Sequence, residues 1–240
     1  MSNHYENDMR DEDTCDGSTA GPIRCSSCDL NEVCRLYGLI ALEGRNRKPM
    51  GTLRTIRPGA HLYRAGAPAG HLYAVRQGLL KVVNVTAEGD EQLRSVAVPG
   101  EVLGLEAFSS GAYATDAVAL QPVVCCELPL PLLEEQGLRV RELAAALIRL
   151  LSRATTPTIN HARGSIRTRI VDFLLDLSTR LKQRGYDGRE FTLGLSRQEI
   201  ANLLDARIET VSRMMQRLHR ERAIQVRGNS VTLLGLTHAD

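Results

Sequence analysis

The sequence predicts an α+β fold: an N-terminal antiparallel β-roll, one long dimerisation helix and a C-terminal winged helix-turn-helix. Three observations predict it. From about residue 51 to 130, short β-rich runs are punctuated by glycines at 59, 66, 70, 78, 89, 100, 104 and 111, the texture of an antiparallel roll or barrel. From Leu138 the apolar period turns helical, with Val140, Leu143, Leu147, Leu150 and Ala154 at alternating steps of three and four. Beyond Ser196 a capped helix, a tight turn, a second helix and a hairpin follow one another within forty residues.

Residues 1–21 hold few apolar side chains and lead into the Gly21-Pro22 pair, which reads as a flexible acidic tail. Residues 22–50 form a cysteine-rich segment. The sensor-like roll is expected over 51–136. Its clearest hairpin sets Val82, Val83 and Val85 against Leu93, Val96 and Val98 across the Gly-containing loop "AEGDE", and "AVALQPVVCCELPL" supplies the last strands. Residues 137–163 are the helix, whose seam of alternating threes and fours suits a partner helix. Ala144, Ile148 and Leu151 form a second apolar stripe, expected to pack on the roll.

Residues 164–240 complete the chain as the winged helix-turn-helix. "SIRTRIVDFLLDLSTRLKQRG" is amphipathic, with Ser165 as N-cap and Gly185 as stop. Ser196 with Glu199 three residues on is a capping box. A helix to Leu204, the turn "DAR" and a helix from about Ile208 make the helix-turn-helix, and "IQVRGNSVTL" is a wing turning at Gly228-Asn229.

Composition narrows the function. No apolar run is long enough to span a bilayer, and the N-terminus lacks the basic start and apolar stretch of a secretory signal, so a cytoplasmic protein is expected. In that compartment closely spaced cysteines bind metal or do redox chemistry more often than they form disulfides. The net charge of +2 hides an asymmetry: residues 139–240 hold eighteen Lys and Arg against ten Asp and Glu. That basic third points to nucleic acid. The six histidines, at 4, 61, 71, 161, 219 and 238, show no metal-like spacing, and neither a catalytic constellation nor a phosphate loop is visible. The chain does not read as an enzyme.

Two constellations carry chemistry. In "CSSCDLNEVC", Cys25, Cys28 and Cys34 offer three thiolates on a short segment. A tetrahedral zinc and an iron–sulfur cluster both take four cysteines, and the residues alone leave the two open. The fourth ligand must come from Cys15, Cys125 or Cys126. Neighbours on a strand face opposite ways, so at most one of Cys125 and Cys126 can serve. The second constellation is the start of the second helix of the helix-turn-helix, which in such motifs enters the major groove. Glu209, Ser212 and Arg213 lie there. Arg donates twice to guanine O6 and N7, and Glu accepts from cytosine N4. Val211, Met214 and Leu218 are expected to hold that helix to its domain.

"HLYAVRQGLLK", "GEVLGLEAF", "EFTLGLSRQEIANLL" and "IETVSRMMQRL" resemble the family of the cyclic-AMP receptor protein and the fumarate–nitrate reduction regulator (CRP/FNR), most nearly the latter (FNR) branch. The resemblance runs from about residue 22 to 236 and implies a cyclic-nucleotide-binding-like roll. It also implies a [4Fe–4S] cluster on Cys25, Cys28, Cys34 and Cys126, the last because "CELP" matches the family's distant ligand; Cys125 is then a buried hydrophobe. The mechanism the resemblance implies is an oxygen switch, in which intact cluster favours the dimer and DNA binding, and oxygen degrades it towards a [2Fe–2S] form so that control is lost. The implied partners are double-stranded DNA with a TTGAT-type inverted repeat, read by Glu209, Ser212 and Arg213, a second copy of the chain, and RNA polymerase. No membrane is involved. No cyclic nucleotide is expected, since "AYATDAVAL" sets Asp116 where relatives hold a phosphate with an Arg-Ser pair. A nitric-oxide or redox sensor using the same cluster is the alternative, and a zinc-stapled effector-binding regulator a further one.

The chain departs from that family at two places. Pro157 falls on the helix seam, where it should kink or end the helix. Asp29 follows Cys28, and an added carboxylate beside an anionic cluster predicts easier oxidation than in an Asp29→Ser variant.

Overall fold

In the computed structural model the described residues are 23, 25–36, 52–86, 89, 91–131, 146, 148, 149 and 164–236. The acidic tail, Pro157 and most of the expected dimerisation helix lie outside them.

A short 3-10 turn, Cys25–Ser27, leads into helix α1, Asn31–Leu36. Eight strands follow: β1 Thr52–Ile56, β2 His61–Tyr63, β3 His71–Gln77, β4 Leu80–Val85, β5 Glu91–Ala97, β6 Val102–Leu103, β7 Asp116–Ala119 and β8 Val123–Pro129, with a one-turn helix α2, Ala107–Ser110, before β7. They pair into two four-stranded antiparallel sheets, β1-β8-β3-β6 and β2-β7-β4-β5. The predicted hairpin is present as β4–β5, with a register shift between Val82 and Val83 that lets both bury. Gly78 turns the chain from β3 to β4 at φ 85°, and a Cβ there would meet the Pro122 carbonyl oxygen. Leu72, Leu80, Val123 and Leu128 fill the interior.

The reader half begins with α3, Ile166–Gln183, capped by Ser165, whose hydroxyl accepts from Thr168 N. Strand β9, Glu190–Thr192, precedes α4, Arg197–Leu203, and α5, Ile208–Arg220; β10, Ile224–Arg227, and β11, Ser230–Leu233, form the wing. The capping box is complete, Ser196 accepting from Glu199 N and Glu199 from Ser196 N. β9 adds a third strand to the wing, a pairing that the isolated run "EFT" did not announce.

A second core joins the two halves. Leu79, Val83, Leu93, Val96 and Val98 of the roll pack with Ile170, Phe173, Leu174 and Leu177 of α3 and with the helix-turn-helix. The strand period of two sets Val96 towards the reader and Ala97 towards the roll interior, and the register shift at Arg94 brings Leu93 to the same side as Val96.

One expectation is extended and one corrected. The recognition helix is held by Val211 and Leu218 as expected and by Met215, which is fully buried, while Met214 packs against the same core and is only partly buried. Ile148 does not pack on the roll. It is 63% exposed, and among the described residues of that helix it is Ala146 that enters the roll core. Among the described residues no helix is long and apolar enough to cross a membrane.

Candidate thiol site and nucleic-acid interface

The cysteine segment is anchored by apolar side chains three apart. Leu30 and Val33, each 1% exposed, insert into the roll core, and this holds Cys28 and Cys34 against the sheet. Backbone bonds set the loop: Cys28 N donates to Cys25 O at 3.2 Å, Asp29 N to Gly100 O at 2.9 Å and Cys34 N to Leu30 O at 2.8 Å. The Asn31 amide closes it, donating to Cys25 O at 2.8 Å.

On β8 the two neighbouring cysteines part as the pleat requires. Cys125, opposite Val75, is 0% exposed inside the core, whereas Cys126, opposite Ala74, lies partly buried on the outer face. That outer face meets the segment. Burial pushes the Cys34 thiol up to about 12, and Cys28, Cys126 and Cys25 each add to the rise. Cys28 is pushed up to about 11 by burial, opposed by its bond from the Leu30 backbone and reinforced by Asp29 and Cys25. Burial also raises Cys126, with Arg76 pulling the other way and Cys25 adding to the rise. Four thiols thus share one neighbourhood. They are not drawn to a single point: among the described residues no three His, Cys, Asp or Glu are placed to hold one metal ion.

Arg76, on β3, was not singled out in the sequence. Its Nη1 donates to Cys25 Sγ at 3.1 Å, and its charge opposes the rise of Cys28, Cys34 and Cys126. A lone arginine ending the apolar run "HLYAV" was the available signal. Arg184, at the end of α3, was missed too. Its Nη2 meets Asp29 Oδ2 at 2.8 Å, and its Nη1 donates to Ser27 O at 2.6 Å.

At the other end, α5 follows α4 through a turn in which Asp205 takes φ 46°, a left-handed conformation that Asp tolerates. Arg169 Nη1 holds this turn by donating to Leu204 O. Glu209 and Arg213 are exposed and Ser212 is partly exposed. The only bond between Glu209 and Arg213 in the described residues runs from Arg213 Nε to the Glu209 backbone carbonyl at 3.3 Å. The guanidinium end is therefore not consumed by an i,i+4 bridge. Arg217, one turn on, is bridged to Glu221 at 2.7 Å, and Glu221 also binds Arg167.

Comparison with known proteins matches both halves. The cyclic nucleotide-binding domain model covers residues 53–136 and the Crp-like helix-turn-helix domain model residues 168–237. The transcriptional activator protein anr of Pseudomonas aeruginosa is 34% identical over 215 residues, 88% of each chain. The chain belongs to the FNR branch of the CRP/FNR family. The fumarate and nitrate reduction regulatory protein of Vibrio cholerae is 29% identical over 223 residues, 91% of this chain and 88% of that one. In fold, the chain resembles FixK2 from Bradyrhizobium japonicum, with a TM-score of 0.67 over 78% of this chain and 93% of that one at 24% identity. This FNR-branch chain is a DNA-binding transcription regulator and not an enzyme.

Proposed function

We propose that this FNR-branch chain is an oxygen-responsive transcription regulator. It holds a [4Fe–4S] cluster through Cys25, Cys28, Cys34 and Cys126 and, as a cluster-loaded homodimer, binds a TTGAT-type inverted repeat when oxygen is low. The observation that carries this reading is the gathering of those four thiols around Arg76. The donor set is all sulfur, which suits a cluster or zinc. A tetrahedral zinc with sulfurs at about 2.3 Å would need them about 3.8 Å from one another, and no three donors among the described residues meet that demand. A cubane is larger and spans thiolates standing further apart.

In this reading residues 22–50 bind the cluster, 51–136 form the sensor roll, 137–163 the dimerisation helix and 164–240 the DNA reader, working in the cytoplasm with RNA polymerase as a further partner. Bound, the cluster supplies a group that oxygen breaks down, so it acts as a ligand for the dimer-competent state. The exposed Ile148 supports a partner surface on the helix. Glu209, Ser212 and Arg213 stand on the exposed start of α5, free to meet base edges. A cyclic phosphate is disfavoured in the roll. Asp116 is buried, accepts from Ala65 N at 2.7 Å and pairs with His61 at 3.1 Å, so a carboxylate opposes the ligand.

Anaerobic purification tests the proposal. The expected protein is brown, carries about four irons and matching sulfide per chain, bleaches in air, and binds a TTGAT inverted repeat only before bleaching. A colourless protein carrying one zinc per chain overturns it.

A further inference from the structure

Arg76 is a cation without an anionic partner in a place that calls for one. It is the next-to-last residue of β3, before the turn into β4, and is partly buried. Among the described residues no carboxylate pairs with it, and its Nε is buried without a hydrogen-bond partner. What it does meet is sulfur: Nη1 lies 3.1 Å from Cys25 Sγ. Cys28, Cys34 and Cys126, the remaining thiols of the group, pack against the same roll core. An unpaired, partly buried guanidinium is costly, and the sulfur group lies where a compensating negative charge is missing.

The position is fixed from both sides. The Arg76 carbonyl accepts from Ile23 N at 2.9 Å, at the start of the cysteine segment, and from the Tyr186 hydroxyl at 3.4 Å, just past α3. Its side-chain direction is set by an irregularity in the strand: the β3–β8 register shifts between Val75 and Gln77, which leaves Arg76 as the extra, unpaired residue, and from there its guanidinium reaches Cys25 of the segment. The backbone that carries the cation is thus held between the sensing segment and the reader.

We infer that Arg76 is a positioning residue for the cluster, hydrogen-bonding the Cys25 thiolate and offsetting the negative charge of the four-thiolate group. This rests on the proposed [4Fe–4S] reading and adds to it a residue that sets how readily the cluster gives up an electron. Positive charge and N–H···S bonds favour the more reduced form and raise the potential. The electron lost in air passes to dioxygen, the oxidant that the proposed function names. Arg76 therefore slows the loss of the cluster in air, tuning the threshold at which the regulator responds.

The test is anaerobic reconstitution of the full-length wild type, Arg76→Gln and Arg76→Lys proteins. Three readouts apply: iron and sulfide content, the one-electron midpoint potential by spectroelectrochemistry, and the rate of bleaching in air. Arg76→Gln is expected to lower the potential by about 60 mV, the equivalent of a tenfold change in equilibrium, and to bleach several-fold faster. Arg76→Lys, which keeps the charge and loses the fork, should fall between it and wild type. If wild type and Arg76→Gln load equally and share one potential and one bleaching rate, the inference is overturned while the cluster reading stands. If the wild type itself takes up no iron, the cluster reading fails first. A Gln variant that loads poorly still leaves the Lys variant to decide: a Lys potential equal to wild type with faster bleaching reduces Arg76 to a structural role and overturns the inference.

Discussion

Arg184, the residue that ends α3, reaches back 155 positions to place its Nη2 at 2.8 Å from the Asp29 carboxylate. Its Nη1 binds the Ser27 carbonyl, and its stem lies so close to Gly100 that a Cβ there would meet Arg184 Cδ at 2.9 Å. α3 belongs to the reader half, so the cysteine segment and the DNA reader are bonded directly, within one chain. A charged pair with both side chains mostly shielded is coupled through more than solvent. A double-mutant cycle with Asp29→Asn and Arg184→Gln is expected to give a coupling energy of about 1–2 kcal/mol in urea unfolding. Strictly additive single mutants would show the bridge to be idle.

The same pair bears on oxidation. Asp29 helps to raise Cys28, yet its carboxylate is shared with Arg184. Asp29→Ser removes a negative charge beside the thiols and leaves Arg184 unmasked, so both changes favour slower bleaching in air. Arg184→Gln leaves the carboxylate unmasked and should bleach faster than wild type. The double variant is expected to return near the wild-type rate. Single variants that both match wild type within error would sink this account, and with it the weight given to Asp29 in the sequence.

What could be read in the sequence was local. The capping box at Ser196 and Glu199, the Ser165 cap, the β4–β5 hairpin and the wing turn each lie within a few residues, and short-range chemistry dictates them. The parting of Cys125 from Cys126 follows from the pleat alone. Arg76 and Arg184 were not legible, because their partners lie 51 and 155 residues away and only the docked fold brings them together. The omission of Met215 has another cause. Steps of three and four both stay on a helical face, and the tilt of α5 against α3 and α4, a tertiary quantity, decides between them. Ala146 and Ile148, two residues apart, lie on nearly opposite sides of the helix, so there tertiary packing decided which face meets the roll.

Docking of the reader on the roll is expected to depend on pH. Lys81 Nζ lies 2.7 Å from both Glu91 Oε2 and Glu199 Oε1, and so links β4 and β5 to the first turn of α4. Burial works against the charged form of Glu199, but the bonds from Lys81 and Ser196 outweigh it and leave the carboxyl below its usual range. A depressed carboxyl contributes stability that is present above its unfolded pKa of about 4.3 and is lost as pH falls through the folded value. The urea midpoint of wild type should therefore fall more steeply below pH 5 than that of Lys81→Met, in which the Ser196 cap remains. Parallel curves would mean that the link does not couple the halves.

Ile148, 63% exposed on the helical stretch, sits one residue before Arg149, whose Nε binds Glu32 of the cysteine segment at 2.8 Å. That ion pair is open to solvent on both sides, so Arg149→Ala should change dimerisation by no more than about 1 kcal/mol. Ile148→Lys is a different matter if the exposed side chain meets a partner copy, since it would bury a charge in an apolar seam. A weakening of the dimer by tenfold or more is expected in sedimentation of anaerobic protein. A dimer constant unchanged from wild type would remove Ile148 from the interface.

The reading of DNA rests on α5. Arg213 is exposed and, among the described residues, bonds only through Nε to the Glu209 backbone carbonyl, so its terminal nitrogens can donate twice to guanine. Arg213→Ala should cost about 1–3 kcal/mol on a TTGAT inverted repeat and relax the preference at the G·C pair. Arg217→Ala serves as the contrast: that guanidinium is already bridged to Glu221, itself held by Arg167, and its loss should leave base preference intact. Fluorescence anisotropy with single-base variants of the site, at two salt concentrations, separates the two outcomes. A uniform loss across all sequences in Arg213→Ala, with a shallower salt slope, would show that Arg213 holds a phosphate and not a base.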